Sequence, residues 1–260
     1  MATAWLRRGF GTLGATLLAL VATGGMAAAQ GAFDWRGQLT PYVWATGLGG
    51  DLRPFATGPT VEIDRSFSDI LGDLDAAFFL SGFARRDRFV LLGDLSYSSG
   101  SRAGVLSAPF PGLPAEGRLR QTSLTLAGGW RVSDTLDGTL DLLGGLRHWR
   151  VRGEVGAPAV PGVFPGARVS ASRNFTDPII AARANLRLTP DWSVLLYGDV
   201  GGFGVGSRST AQLLGTVNYS LGNQVTLSAG YRHLSVDYRS GGSRFDVRLG
   251  GPIFGATVEF

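Results

Sequence analysis

Apolar and polar residues alternate along almost the whole chain after Phe33, and this period of two predicts β-strands. The connections between the alternating runs are by turns very short and long. Short connections carry Asp, Asn, Gly and Pro, as in Thr189-Pro190-Asp191 and Leu221-Gly222-Asn223, and predict tight hairpin turns. The pattern predicts an all-β protein of about ten strands, with eight as the alternative count. The predicted strands are 33–48, 75–86, 88–98, 118–132, 136–152, 174–188, 192–203, 209–221, 224–238 and 244–260.

The long connections are rich in Pro and Gly, as in 99–117 and 153–173. Tight turns at one end and long loops at the other are typical of an antiparallel, up-and-down transmembrane β-barrel. A soluble β-sandwich would also give alternating residues, with its polar side chains outside. Residues 66–74 have apolar positions at helical spacing and predict either a short helix over the barrel mouth or an irregular loop.

The C-terminal strand and the aromatic residues favour the membrane barrel over the sandwich. Phe254, Val258 and Phe260 lie on one face of the last strand, and the chain ends in an aromatic residue. This pattern resembles the signal by which bacterial barrels are recognised by the barrel assembly machinery, which we expect as a partner. Trp130, Trp192 and Tyr219 lie near the predicted short turns, where an aromatic girdle is expected.

The first residues predict an export signal. Arg7 and Arg8 precede a short apolar run, and Ala27-Ala28-Ala29 supplies the small residues that signal peptidase accepts. The apolar run from Leu13 to Ala22 is shorter than a bilayer-spanning helix requires. We therefore predict a signal peptide over 1–29 and a barrel domain over 30–260 of the Gram-negative outer membrane.

Strand parity predicts which charged residues face the lumen. Seven charged residues on five strands share the parity of the polar face: Asp94, Asp141, Arg147, Asp177, Arg183, Asp199 and Arg232. Buried charges need partners, so this set predicts a network of ion pairs that fills a narrow lumen. The functional alternative is a charged constriction that selects small solutes. Gln212 and Asn218 have the same parity, whereas Asp246 and Arg248 would join only through a β-bulge.

Composition excludes several kinds of chemistry. The chain has no Cys and only two His, so we expect no metal site, no cofactor and no disulfide. Its net charge of +4 includes Arg7 and Arg8 of the predicted signal, which leaves little support for nucleic-acid binding. His148 and His233 share the parity of the lipid-facing residues. Because His233 and Asp237 point away from the lumen, we expect no enzyme.

Several strings resemble a family of largely uncharacterised proteobacterial outer-membrane β-barrel proteins, and Asp199-Val200-Gly201-Gly202-Phe203-Gly204-Val205-Gly206-Ser207 is the most specific. The others are Leu39 to Trp44, Asp177 to Ile180, Gly230 to Leu234 and Asp237-Tyr238. The resemblance spans essentially the whole mature chain. It implies the fold and the outer-membrane location, and it supplies no catalytic residues.

Together these features predict an outer-membrane barrel with a structural role or a narrow, porin-like pore for passive passage of small solutes. The alternatives are an outer-membrane hydrolase, similar to the omptin proteases or to lipid A-modifying enzymes, and an adhesin that acts through its loops. Outward arginines near the long loops are expected to contact outer-membrane lipid and lipopolysaccharide. They are Arg118, Arg120, Arg150, Arg152, Arg239, Arg244 and Arg248.

Overall fold

The computed structural model describes residues 35–53, 61–105, 114–159, 165–240 and 242–260. The predicted signal peptide and the first residues of the predicted mature chain lie outside this set. The described elements are twelve β-strands and one short helix. In chain order they are β1 (Arg36–Trp44), β2 (Gly47–Arg53), β3 (Val61–Arg65), α1 (Phe67–Asp73), β4 (Leu74–Arg86), β5 (Phe89–Val105), β6 (Pro114–Asp134), β7 (Gly138–Ala157), β8 (Ala167–Arg187), β9 (Trp192–Gly201), β10 (Ser209–Leu221), β11 (Val225–Ser240) and β12 (Ser243–Glu259).

The strands form a closed antiparallel barrel with ten strand positions. β1 and β2 share one position because both pair with β12, and β3 and β4 share the next position by pairing with β2 and β1. The barrel closes between the first and last strands, where Gly37 and Phe260 exchange backbone hydrogen bonds of 2.7 and 3.0 Å. The predicted up-and-down barrel of ten strands is confirmed, and the alternative count of eight is wrong.

Several strands are longer than predicted. β5 continues to Val105, β7 continues to Ala157, and β8 begins at Ala167 rather than at Asn174. The apolar alternation stops near Arg150, but the backbone ladder between β7 and β8 continues to the pair Ala157–Ala167. Backbone pairing does not require apolar side chains, so the alternation marks the apolar part of the wall and not the end of each strand.

The first long connection contains the helix α1. Ser66 caps it, since its hydroxyl accepts from the Asp69 backbone N–H while the Asp69 carboxylate accepts from the Ser66 backbone N–H. The helix lies beside β2 and β5, and none of its residues is buried. The helical alternative for 66–74 is therefore confirmed, although α1 is inserted in the wall between β3 and β4. No helix in the described ranges is long and apolar enough to cross a membrane.

The outer surface of the barrel is apolar and its interior is polar, the reverse of a soluble domain. Leu126 and Leu146 point outward and are 58% and 55% exposed, whereas Asp141 and Arg147 point inward and are 0% and 1% exposed. At the end with the short connections, which we call the turn end, an outward aromatic girdle surrounds the wall. It consists of Phe89, Trp130, Trp192, Tyr219 and Phe260.

The predicted assembly residues lie on the outer face of β12. Phe254 and Phe260 are exposed, and Val258 on the same face is half-buried. Phe260 therefore presents its ring outside the barrel while its backbone closes the sheet on Gly37. The five remaining connections of the chain are at the opposite end, which we call the loop end.

Candidate functional site

A chain of hydrogen-bonded side chains crosses the lumen, and we call it the polar layer: Tyr42, Asp94, Arg147, Asp199, Gln212 and Arg232. Arg232 Nη2 donates to Asp94 Oδ1 at 3.0 Å and to Gln212 Oε1 at 2.7 Å. Arg147 Nη2 donates to the same Gln212 oxygen at 3.5 Å. Its two terminal nitrogens bind the Asp199 carboxylate at 2.9 and 2.6 Å. The layer thus joins β5, β11, β10, β7 and β9.

Each charge in the polar layer has compensating partners. Tyr42 accepts from Arg232 Nη1 at 2.6 Å and donates to Asp94 Oδ2 at 2.8 Å, which links all three side chains. Arg147 also donates to the hydroxyls of Thr125 and Thr210 at 3.0 and 3.3 Å. Forked guanidinium contacts of this kind are the stronger, charge-assisted hydrogen bonds, and they hold the layer in one arrangement.

A second charged cluster lies nearer the turn end. Asp141 accepts from Arg131 Nε at 2.8 Å and from Arg183 Nη1 at 3.3 Å. The Arg183 guanidinium also lies 4.0 Å above the centre of the Phe83 ring, a cation–π contact. Arg131 was not among the predicted lumen residues, although the inward series Ser123, Thr125, Ala127, Gly129 and Arg131 has one parity along β6. Parity applied to that strand would have found it.

Asp177 is buried as its parity indicated, but its carboxylate contacts the connection between β9 and β10. It accepts from the Ser207 backbone N–H at 2.6 Å and from the Ser207 hydroxyl at 2.9 Å. A side chain at Gly206 would collide with the Thr176 backbone, and Gly202 has a φ of +85°, so this connection needs its glycines. Asp177 therefore fixes the Gly-rich string to β8, whereas we expected it in the ion-pair network.

Above the polar layer, toward the loop end, the lumen is filled by apolar side chains that we call the aromatic layer: Trp44, Phe79, Trp149, Phe175 and Tyr238. Phe175 and Tyr238 stack with ring centres 4.3 Å apart, although they come from β8 and β11. Leu234 and Leu249 are buried in the same cluster. This layer was not predicted, because its aromatic residues share the inward parity of polar neighbours and look like isolated exceptions in the sequence.

Below the polar layer, a cavity of 870 Å³ extends to the turn end. Arg147, Arg183 and Arg232 line its deep part, and Pro190 and Asn223 of the short turns line its mouth. Asn218 and Gln212 face the cavity, as their parity predicted. The described lumen therefore has a polar cavity at one end and a packed aromatic layer toward the other.

The remaining candidate residues lie on the outer face. His148 contacts the Thr176 hydroxyl at 2.9 Å and is exposed, while Asp237 pairs with Arg208 at 3.6 Å and Arg239 at 3.1 Å. The register of β11 and β12 is continuous from Val225 to Ser240, so the bulge that would bring Asp246 and Arg248 inward is not formed. Within the described ranges, no group of three His, Cys, Asp or Glu residues could hold a metal ion.

No family model and no curated protein matches the chain, so the resemblance of the Gly-rich string to a particular barrel family stays a prediction. Three solved structures are similar. The outer membrane protease OmpT of Escherichia coli gives a TM-score of 0.50 at 11% identity, covering 87% of this chain and 97% of that chain. The translocator domain of the autotransporter NalP of Neisseria meningitidis gives 0.48 at 15%, covering 95% and 94%. The attachment invasion locus protein Ail of Yersinia pestis gives 0.34 at 11%, covering 88% and 100%. At 11% identity the OmpT comparison shows a shared fold alone, and this chain has the fold of an outer-membrane β-barrel.

Proposed function

We propose that this protein is a structural barrel of the Gram-negative outer membrane, with a lumen that the polar and aromatic layers close to solutes. One observation carries the proposal. Arg147, which is 1% exposed, binds Asp199 through two hydrogen bonds and reaches Gln212, which in turn binds Arg232. Side chains from opposite sides of the barrel therefore meet where an open pore would have water.

The distribution of apolar residues supports placement in a membrane. The outward side chains of β6 and β7 are large and exposed, and the aromatic girdle borders them at the turn end. An exposed apolar surface of this extent is costly in water and stable against lipid. With ten strand positions, both ends of the barrel domain lie at the turn end, which corresponds to the periplasmic side of such barrels.

A structural role is supported over free passage of solutes. A solute that leaves the cavity toward the loop end meets Arg147 and Arg232, and then the stacked rings of Phe175 and Tyr238. Separating one partner from a buried ion pair costs about 3–5 kcal/mol. Passive passage through a narrow pore would require both layers to rearrange, so the closed barrel is the simpler reading of the geometry.

The proposed role includes no catalytic step. His148 and His233 are exposed on the outer face, and Asp237 is engaged by Arg208 and Arg239. A general base needs hydrogen-bond reach to a substrate and an orienting partner. A hydrolase assay on casein and on lipid A is expected to give no turnover above the buffer control. Turnover that is lost in His233→Ala would contradict this part of the proposal.

Membrane placement and orientation can be tested by labelling, because the chain has no natural Cys. Val205→Cys introduces a thiol in the exposed β9–β10 connection at the loop end, and Asn223→Cys introduces one in the exposed β10–β11 turn. A maleimide coupled to a large polymer, added to intact cells, is expected to label Val205→Cys only. After the outer membrane is permeabilised, both variants should react. Labelling of Asn223→Cys in intact cells would contradict the orientation.

Closure of the lumen can be tested by proteoliposome swelling in arabinose. The unmodified barrel is expected to give no swelling above empty liposomes. The triple variant Trp149→Ala, Phe175→Ala, Tyr238→Ala empties the aromatic layer, whereas Leu146→Ala, Tyr231→Ala, Phe254→Ala removes outward side chains from the same wall. Faster swelling with the inner variant alone supports closure. Swelling with the unmodified protein would favour a pore.

A further inference from the structure

Three arginines on the outer face of β6 and β7 form what we call the arginine triad: Arg120, Arg150 and Arg152. All three are exposed, and none has a carboxylate within 4.0 Å among the described residues. Neighbouring charges behave differently, since Arg118 pairs with Glu116 at 3.2 Å and Arg168 pairs with Glu154 at 3.1 Å. The triad is therefore an excess of positive charge on a wall that is otherwise balanced at this height.

The register of the sheet brings these charges together. Arg120 lies directly opposite Arg152 on the neighbouring strand, and Arg150 lies on the same face, opposite Thr122. Like charges at directly opposite positions destabilise a sheet, because their β-carbons are about 5 Å apart. A bound anion between the guanidinium groups would remove this repulsion.

The height of the triad on the wall indicates what that anion is. Trp130 of the girdle and Arg120 are ten residues apart on β6, and Leu124 and Leu126 between them are outward and exposed. Ten residues rise about 33 Å along a strand, or about 23 Å along the barrel axis at a tilt of about 45°. The apolar band of an outer-membrane barrel is about 25 Å tall. The triad consequently lies where the apolar band ends, at the level of lipid phosphates.

We propose that the arginine triad binds the phosphate groups of lipid A, the membrane anchor of lipopolysaccharide, in the outer leaflet. The proposal rests on the outer-membrane placement proposed above, because the triad is on the loop-end side of the apolar wall. Each guanidinium can bind a phosphate through two hydrogen bonds, and three such groups within one patch suit a headgroup with two phosphates better than a single phosphodiester.

The experiment compares the unmodified barrel with R120Q/R150Q/R152Q in mild detergent, using native mass spectrometry to follow titration with lipid A. The matched control is R36Q/R88Q/R187Q, which removes the same charge from exposed positions at the turn end. We expect at least tenfold weaker lipid A binding in the triad variant and unchanged binding in the control. Equal binding in the triad variant and the unmodified protein would overturn the proposal.

Further arms separate the possible sources of phosphate. Dephosphorylated lipid A should bind the unmodified protein at least tenfold more weakly than lipid A, a result that does not require the variant to fold. Phosphatidylglycerol should bind the unmodified barrel and the triad variant equally. A triad-dependent preference for phosphatidylglycerol, or displacement of lipid A by millimolar inorganic phosphate, would overturn the assignment to lipopolysaccharide. Failure of the membrane placement would instead appear as the wrong labelling of Val205→Cys and Asn223→Cys.

Discussion

Arg232 on β11 donates a hydrogen bond to Asp94 on β5 across the lumen, with 3.0 Å between Nη2 and Oδ1. Four neighbouring strand pairs separate these two strands along the wall. Such a contact is possible only in a narrow barrel, whose interior is scarcely wider than its side chains. The ion pair therefore links opposite sides of the wall and occupies the lumen at the same time.

The Arg147–Asp199 pair is expected to be a large contribution to stability. Arg147→Met leaves the Asp199 carboxylate buried without its forked partner, which costs about 3–5 kcal/mol of the free energy of unfolding. Urea unfolding of the refolded protein in lipid vesicles measures this loss. Arg208→Met removes an exposed partner of Asp237 and should cost less than about 1 kcal/mol.

The double variant Arg147→Met, Asp199→Asn tests whether charge burial is the cause. Removing the stranded carboxylate should recover part of the stability that Arg147→Met loses, because no uncompensated charge then remains. Equal losses in the single and double variants would show that packing, not charge, accounts for the effect.

The cap of α1 predicts a pH dependence at the loop end. Hydrogen bonds from the Ser66 hydroxyl and backbone N–H hold the pKa of Asp69 below its ordinary value. A group with a lowered folded pKa stabilises the helix at neutral pH, and this contribution is lost as the pH falls through that pKa. In an NMR titration, Ser66→Ala should raise the pKa of Asp69, and Ser68→Ala should not. An unchanged pKa in Ser66→Ala would contradict the capping geometry.

The C-terminal aromatic residue should affect assembly more than stability. The Phe260 ring is 71% exposed, while its backbone supplies the two hydrogen bonds to Gly37 that close the sheet. Phe260→Ala keeps those bonds and removes the ring, so we expect less protein in the outer membrane of cells and an almost unchanged urea midpoint. Phe260→Tyr should restore the amount, and Leu221→Ala is the control for an exposed turn-end residue. Normal amounts of Phe260→Ala would contradict a role of the ring in recognition by the assembly machinery.

The alternation of residues was enough to predict the barrel, because each strand has one lipid-facing and one lumen-facing side. The same parity assigned Asp141, Arg147 and Arg232 to the interior, where the structure places them. It did not predict partners, since Arg147 is adjacent to Asp177 in the register but binds Asp199 two strands away. Pairing across a lumen depends on shear and side-chain length, which do not appear in a local pattern.

The aromatic layer shows a second limit of the pattern. Trp149 and Phe175 face inward at positions where polar residues were expected, and they become meaningful only when β8 and β11 bring Phe175 against Tyr238. The strand ends were also missed, because Arg150 and Arg152 end the apolar alternation while the backbone ladder continues. Both features arise from closure of the sheet, which sequence alone does not position.

Single-channel recording in planar lipid bilayers tests the closed lumen most directly, because ions are smaller than any organic solute. After insertion is verified by the heat-dependent shift of the folded protein in gel electrophoresis, the unmodified barrel is expected to show no stepwise conductance in 1 M KCl. The variant that lacks the Trp149, Phe175 and Tyr238 rings and also carries Arg147→Ala should show discrete steps. Steady conductance steps from the unmodified protein would contradict a lumen closed by the polar and aromatic layers.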